Sequence, residues 1–202
     1  MYSEFTTVAA DSVTNTKPDF QTLTTDARLS WAYGHYGDGL ALMSSFGPQS
    51  IALIEQLHQA WLLPHIPIVT VDIKGKDWDA QRKYRAELQK LYGFHLHVLP
   101  AANETEKRSV LENSLKDLGI TATLDGIRRS QTNLRATKSF IEDKPDRTHI
   151  HPLLDWADAR TDYFIGSLSP HLRHPSWRPG IKSKGGVILA FGAEKTECGL
   201  HY

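Results

Sequence analysis

The chain has 202 residues, of which 40% are hydrophobic and 23% charged, and its 23 Lys and Arg balance its 23 Asp and Glu. That length suits one domain able to bury roughly 70% of the surface of its unfolded chain, and that composition excludes a disordered chain. The balanced charge excludes a surface coated in basic groups for nucleic acid, so any anion site must be local.

Residues 1–20 carry no periodic pattern and are predicted to be a loose arm. Thr25–Tyr36 is predicted as a helix capped by Thr25 or Asp26 and ending near Gly37. Residues 39–43 (GLALM) form a short buried strand. Residues 50–63 form a helix with Ser50 at its cap and Ile54, Leu57 and Trp61 on one face. Residues 66–71 (IPIVTV) are β-branched and strand-like. Residues 77–92 form a helix with Tyr84, Leu88 and Leu91 on its apolar stripe, followed by an alternating strand at 94–99. Residues 103–118 form another helix, started by Asn103 and Glu106 as a capping-box variant and striped by Leu111, Leu115 and Leu118. A strand follows at 120–124. The second half is less regular. It is predicted to hold a charged loop at 141–147, an added strand at 148–154, a short helix at 155–165, and loops with a tail beyond Ser167.

Strands alternating with helices of this length predict an α/β domain spanning residues 1–202. Its sheet is doubly wound and mostly parallel, with helices on both faces. Ligands in such sheets gather beyond the C-terminal strand ends. Three segments lie there. Ser44-Ser45-Phe46-Gly47-Pro48-Gln49-Ser50 joins a strand to a helix, and its small residues let backbone N–H groups approach an anion, although an ordinary turn also favours Ser and Gly. Neither G-x-x-x-x-G-K-[ST] nor G-x-G-x-x-G is present. Asp72 ends the second strand, where a carboxylate can bond a ribose or a base edge. Asp125-Gly126-Ile127-Arg128-Arg129-Ser130-Gln131, followed by Arg135-Ala136, brings three guanidinium forks to a strand end, the group that pairs bidentately with phosphate or sulfate.

A fourth segment is the ending Glu194 to His201. It carries the single cysteine, Cys198, beside Lys195 and His201, which favour a thiolate, and Glu197, which opposes it. One cysteine cannot form an internal disulfide, complete a four-Cys zinc site or hold an iron–sulfur cluster alone, and it suits a reducing compartment. No secretory signal or membrane span is visible, so a cytoplasmic location is expected. The pairs His95-x-His97, His149-x-His151 and His171-x-x-His174 have spacings that metals use. The first two sit on alternating strands, where neutral surface or core histidines are expected, and no metal is assigned.

Taken together, these segments resemble the phosphoadenylyl-sulfate (PAPS) reductases of sulfate assimilation. Glu197-Cys198-Gly199-Leu200-His201 is similar to that family's C-terminal E-C-G-L-H motif. Ser44-Ser45-Phe46-Gly47-x-Gln49 is similar to its modified PP-loop, S-S-F-G-x-Q. Gly126-Ile127-Arg128-Arg129-x-Gln131 with Arg135-Ala136 is similar to its G-[IL]-R-R-x-Q-x-x-x-R-A segment. Pro152-Leu153-x-x-Trp156 and His174-Pro175-x-Trp177 follow in the family's order. After the second strand only Asp72 matches the family's D-T-G-x-x-F-P-E-T.

The resemblance implies an adenine nucleotide alpha-hydrolase-like, PP-loop fold with a mobile tail at 187–202. It implies Cys198 as the nucleophile that attacks the sulfonate of PAPS, giving a cysteine S-sulfonate and adenosine 3′,5′-bisphosphate. Thioredoxin or glutaredoxin would then release sulfite. Substrate contacts would come from Ser44, Ser45, Phe46, Gly47, Gln49, Asp72, Gly126, Arg128, Arg129, Gln131, Arg135, Lys195 and His201, with Arg135 or Lys138 near the 3′-phosphate. The missing cluster cysteines favour PAPS over adenylyl sulfate and no bound cofactor. No nucleic acid or membrane partner is implied, and the resemblance leaves a homodimer open. Two alternatives stand beside this reading. One is an ATP-using PP-loop adenylyltransferase or pyrophosphatase, which would want S-G-G-x-D-S in the loop. The other is a non-catalytic adenine-nucleotide-binding module.

Overall fold

The computed structural model describes residues 17–73 and 79–180. Residues 1–16 of the N-terminal arm, and the C-terminal segment with Lys195, Cys198 and His201, lie outside the described residues.

Among the described residues, six strands form one sheet in the order β3-β2-β1-β4-β6-β5. They are β1 Leu40–Met43, β2 Ile68–Ile73, β3 Leu96–Ala101, β4 Ala122–Leu124, β5 Ile141–Asp143 and β6 Thr148–Ile150. All neighbouring pairs are parallel except β5 with β6. The helices are α1 Thr25–Tyr36, α2 Ile51–Gln59, α3 Asp79–Tyr92, α4 Glu106–Asp117, the short α5 Asn133–Ala136, and α6 Asp158–Ser167.

The apolar run in β1 follows from burial on both faces. Leu40 and Leu42 join one core with Leu29 of α1, Ile54 and Leu57 of α2, Tyr84 and Leu88 of α3, and Ile165 of α6. Ala41 and Met43 join a second core with Leu111 and Leu115 of α4. Helices therefore cover both faces, as the alternation of strand and helix predicts. The chain steps outward from β1 through β2 to β3, then returns past β1 to β4. The β1/β4 boundary is thus the point where the strand order reverses, the place where such sheets bind ligands. No helix among the described residues is long and apolar enough to cross a membrane.

Several local expectations are corrected. Thr24, not Thr25 or Asp26, caps α1, its hydroxyl accepting from the Ala27 amide, while the Thr25 hydroxyl accepts from Trp156 Nε1 in the core. Phe20 is buried and meets Trp31 edge-on, so the end of the arm packs on the domain. Ser50 makes no capping bond and α2 stops at Gln59. The Leu57 carbonyl then accepts from both the Leu62 and Leu63 amides, which turns the chain and puts Trp61 at φ 59° and 83% exposed, off the buried face. Leu91 and Leu118 are also exposed, each lying at the end of its helix. Asn103 and Glu106 do not form the expected capping box: α4 starts at Glu106, whose amide donates to Asn103 Oδ1 while its side chain accepts from the Ala102 amide. Gly119 closes α4 at φ 70°, a conformation that favours glycine.

The expected charged loop at 141–147 is instead half of a hairpin. Ile141 packs against the core, and the turn around Pro145 is closed by Lys144 N to Arg147 O at 3.0 Å. The added strand ends at Ile150, because Pro152 has no N–H to continue the ladder. Helix α6 starts at Asp158, three residues later than expected, since Asp155 is taken by Arg28 through bonds of 2.7 and 2.8 Å.

Candidate functional site

In the parallel register Leu40, Ala41 and Leu42 of β1 lie beside Ala122, Thr123 and Leu124 of β4. One step further puts Met43 beside Asp125. The segment starting at Ser44 and the one starting at Gly126 therefore leave the sheet side by side at the reversal point.

The first segment is shaped by Phe46. Its side chain is fully buried, 6.1 Å from the Phe94 ring, and its backbone sits at φ 51°. A positive φ is costly for a bulky residue, and core packing of the ring holds it there. Ser44 Oγ accepts the Phe46 amide at 3.1 Å, and Gly47 O accepts the Ser50 amide at 2.9 Å. Gln81 of α3 donates to Ser45 O. Gln49 is buried as the chain enters α2. Phe46 and Ser44 are thus buried, and Ser45 and Gly47 lie on the partly exposed side of the turn.

The second segment is ordered from below. Asp125, with no exposed surface, accepts the Ile127 amide at 3.0 Å and the His151 Nδ1 at 2.7 Å on the same Oδ1. Gly126 leaves open space where a side chain would start. Arg128 is 1% exposed, and its Nη2 donates to Asp158 Oδ1 at 3.0 Å. Burial pushes its pKa down, but a guanidinium remains charged. Arg128 Nε has no acceptor among the described residues. Arg135 is also buried and repels Arg128 electrostatically. Gln131 Oε1 ties them together, accepting the Arg128 amide at 3.1 Å and Arg135 Nη1. Two buried like charges on one segment are a natural seat for an anion.

Not every expected residue converges here. Arg129 Nε donates to Lys138 O at 3.2 Å and its guanidinium lies 5.2 Å from the Phe140 ring centre, so it braces the segment. Lys138 pairs with Glu142 at 2.9 Å. Asp72 is gripped by Arg85 through two bonds of 2.9 and 3.0 Å, with Arg82 at 3.3 Å. Arg85 chiefly holds the Asp72 carboxyl below its usual range. Asp72 therefore anchors α3 to β2.

Sequence reasoning missed Asp158 and the coupling of His151 to Asp125 and Glu142. His149 lies in β6 and His151 just past its end, and both are buried. Burial lowers the His149 imidazole, and its Nδ1 lies 3.2 Å from Thr123 Oγ1. His151 differs in its surroundings, with carboxylates beside both ring nitrogens. Burial alone would push its imidazole down, but Asp125 and Glu142 overcome this and raise it. In the third pair, His174 is buried, which lowers its imidazole, and its Nδ1 accepts the Ser176 amide. Among the described residues, no three His, Cys, Asp or Glu side chains gather as a metal-holding group.

The family model for the phosphoadenosine phosphosulfate reductase domain matches residues 39–169. A phosphoadenosine 5′-phosphosulfate reductase of Xylella fastidiosa is 25% identical, with 90% of each chain covered. Another from Alkalilimnicola ehrlichii is 26% identical, covering 86% of this chain and 84% of its own. Among solved structures, a Candida glabrata FMN adenylyltransferase in complex with ATP aligns with a TM-score of 0.59 at 18% identity, over 70% of this chain. Yeast FAD synthetase in complex with FAD aligns at 0.55 and 15% identity, over 76% of this chain. The chain spans about half the length of that adenylyltransferase (52%) and 61% of the synthetase. These likenesses show the fold, an adenine nucleotide alpha-hydrolase-like α/β sheet.

Proposed function

The chain belongs to the phosphoadenosine phosphosulfate reductase family, and from that premise we propose that it reduces 3′-phosphoadenylyl sulfate to sulfite and adenosine 3′,5′-bisphosphate. One observation supports this most. The buried pair Arg128 and Arg135 leaves β4 beside the turn that carries Ser44, Ser45 and Gly47. The turn offers backbone N–H groups and hydroxyls to the 5′-phosphosulfate, and the guanidinium pair neutralises phosphate charge.

In the proposed reaction the Cys198 thiolate attacks the sulfonate sulfur. A bond forms between the two sulfur atoms, the anhydride oxygen–sulfur bond breaks, and adenosine 3′,5′-bisphosphate leaves with the electron pair. Arg128 and Arg135 stabilise the charge that develops on that leaving group. A dithiol partner, thioredoxin or glutaredoxin, then attacks the Cys198 sulfur. Sulfite departs, and the partner supplies the two electrons by closing its own disulfide, which returns Cys198 as thiolate. Lys195 and His201 flank Cys198 in sequence and favour its thiolate form. The reaction needs no bound metal, iron–sulfur cluster or other resident cofactor.

Sulfite release tests the reading. With PAPS and reduced thioredoxin, the protein should form sulfite in proportion to substrate, and Cys198→Ser should form none while still binding adenosine 3′,5′-bisphosphate. Sulfite formed by the Cys198→Ser variant would refute it.

A further inference from the structure

His151 joins the two ends of the arginine segment. At the start, its Nδ1 lies 2.7 Å from Asp125 Oδ1, the atom that also takes the Ile127 amide and so sets the first turn of the segment. At the other end, its Nε2 lies 3.9 Å from Glu142 Oε2, and the same Glu142 oxygen holds Lys138 Nζ at 2.9 Å. Lys138 O in turn receives Arg129 Nε. The chain Asp125–His151–Glu142–Lys138 thus clasps residues 125–138 at both ends, from a residue just past the end of β6 that lies outside the segment. His151 itself is fixed in place by its amide, which donates to Phe140 O at 2.8 Å, and is 1% exposed.

We propose that His151, as an imidazolium bridging Asp125 and Glu142, is the positioning residue that holds the arginine segment in its anion-binding form. This rests on the proposed nucleotide site. The groups facing His151 are Asp125 from just past the end of β4, Glu142 from β5 with Lys138 behind it, and His149 of β6, two residues back. The raised imidazole pKa agrees with the geometry, because both carboxylates favour the charged ring. Loss of the proton leaves Asp125, which has no exposed surface, without the adjacent positive charge, and it releases Glu142. The neutral ring can keep the Asp125 bond through Nδ1–H, so the Glu142 end of the clasp loosens first.

Linkage makes this measurable. If binding at the arginine segment favours the charged ring, ligand binding must draw a proton onto His151, and protonation must tighten binding equally. The experiment titrates adenosine 3′,5′-bisphosphate into the full-length protein by calorimetry in buffers of different ionisation enthalpy. It runs from pH 6.5 to pH 9 for the wild type and His151→Gln, with NMR titration of the imidazole alongside. The expected results are an imidazole that titrates above its usual range and rises further when the bisphosphate binds. Proton uptake should be greater in the wild type than in His151→Gln, and the variant's affinity should fall about tenfold, a usual size for coupling between sites. Comparing the two proteins cancels protonation of the ligand's own phosphates. Equal affinity and equal proton uptake in a folded His151→Gln would overturn the inference while leaving the nucleotide site intact. Should His151→Gln fail to fold, a wild-type imidazole whose titration is unmoved by the bisphosphate overturns it just as well. Absence of bisphosphate binding by the wild type at every pH would overturn the site and this inference together.

Discussion

Arg128 donates to Asp158 across 3.0 Å, and this contact fixes the most buried guanidinium of the arginine segment to the first turn of α6. Arg128 is 1% exposed at its side chain and Asp158 30%, so the pair is desolvated mainly on the cationic side. Asp158 Oδ1 also receives Ser130 Oγ at 2.8 Å. Removing the carboxylate strands a buried guanidinium. Asp158→Ala is expected to lower stability by about 2–3 kcal/mol, less than a fully buried broken pair because water reaches Asp158. Arg128→Met, which removes the charge and keeps the apolar stem, should cost less stability and abolish bisphosphate binding. Urea unfolding and calorimetric titration of the two variants check the contrast.

Phe46 makes a second prediction, about a residue whose ring faces the core. Its fully buried ring holds a left-handed backbone at φ 51°. Phe46→Ala should destabilise by about 3–4 kcal/mol through the cavity it leaves. It should also weaken bisphosphate binding by letting the Ser44 turn relax, whereas Phe46→Leu should retain most of both. If Phe46→Ala bound the nucleotide as tightly as the wild type, the turn would not depend on this anchor.

Stability should form a dome in pH with two different causes. On the acid side, His151, with its Nε2 3.9 Å away, and Lys138, bonded at 2.9 Å, hold Glu142 down to about 2 against an ordinary value of 4.5. Arg85 chiefly depresses Asp72. Groups with lowered folded pKa values stabilise fully above their unfolded values and lose that contribution as pH falls through the folded ones. Urea midpoints should therefore drop between about pH 4.5 and pH 2. Glu142→Gln and Asp72→Asn should each flatten part of the drop. His151 acts in the opposite direction. Its folded pKa is raised, so its contribution is full below its ordinary value and is lost as pH rises through the folded one. A His151→Gln protein should lose that alkaline slope, and an unchanged slope would contradict the assignment.

What the sequence disclosed follows the physical range of each interaction. The apolar run at β1 and the alternation of strands with helices announced a parallel sheet, since burial on both faces leaves its mark on consecutive residues. The Asn103–Glu106 contact was legible because its partners are three residues apart, though the helix starts later than expected. Strand β5 was not, because three residues beside a Pro-containing charged stretch carry no period. Trp61 was misplaced because a carbonyl at Leu57, not the helical pattern, decides where α2 turns. At the site, the segments themselves were visible as motifs. Their anchors were not. Arg128 meets Asp158 thirty residues on, and Asp125 meets His151 twenty-six residues on, contacts that only the sheet register creates. Asp72 and Arg129 were expected at a substrate, yet Arg85 and the Lys138 carbonyl engage them first.

The most direct measurement is the intact mass of the reduced protein after mixing with PAPS, with adenylyl sulfate in a parallel reaction and no thiol reductant present. The account predicts a gain of one SO3 with PAPS, mapped to Cys198, absent in Cys198→Ser and removed when reduced thioredoxin is added. An unmodified mass in the presence of bound nucleotide would contradict it. That outcome would leave a module that binds adenine nucleotides without transferring the sulfonate.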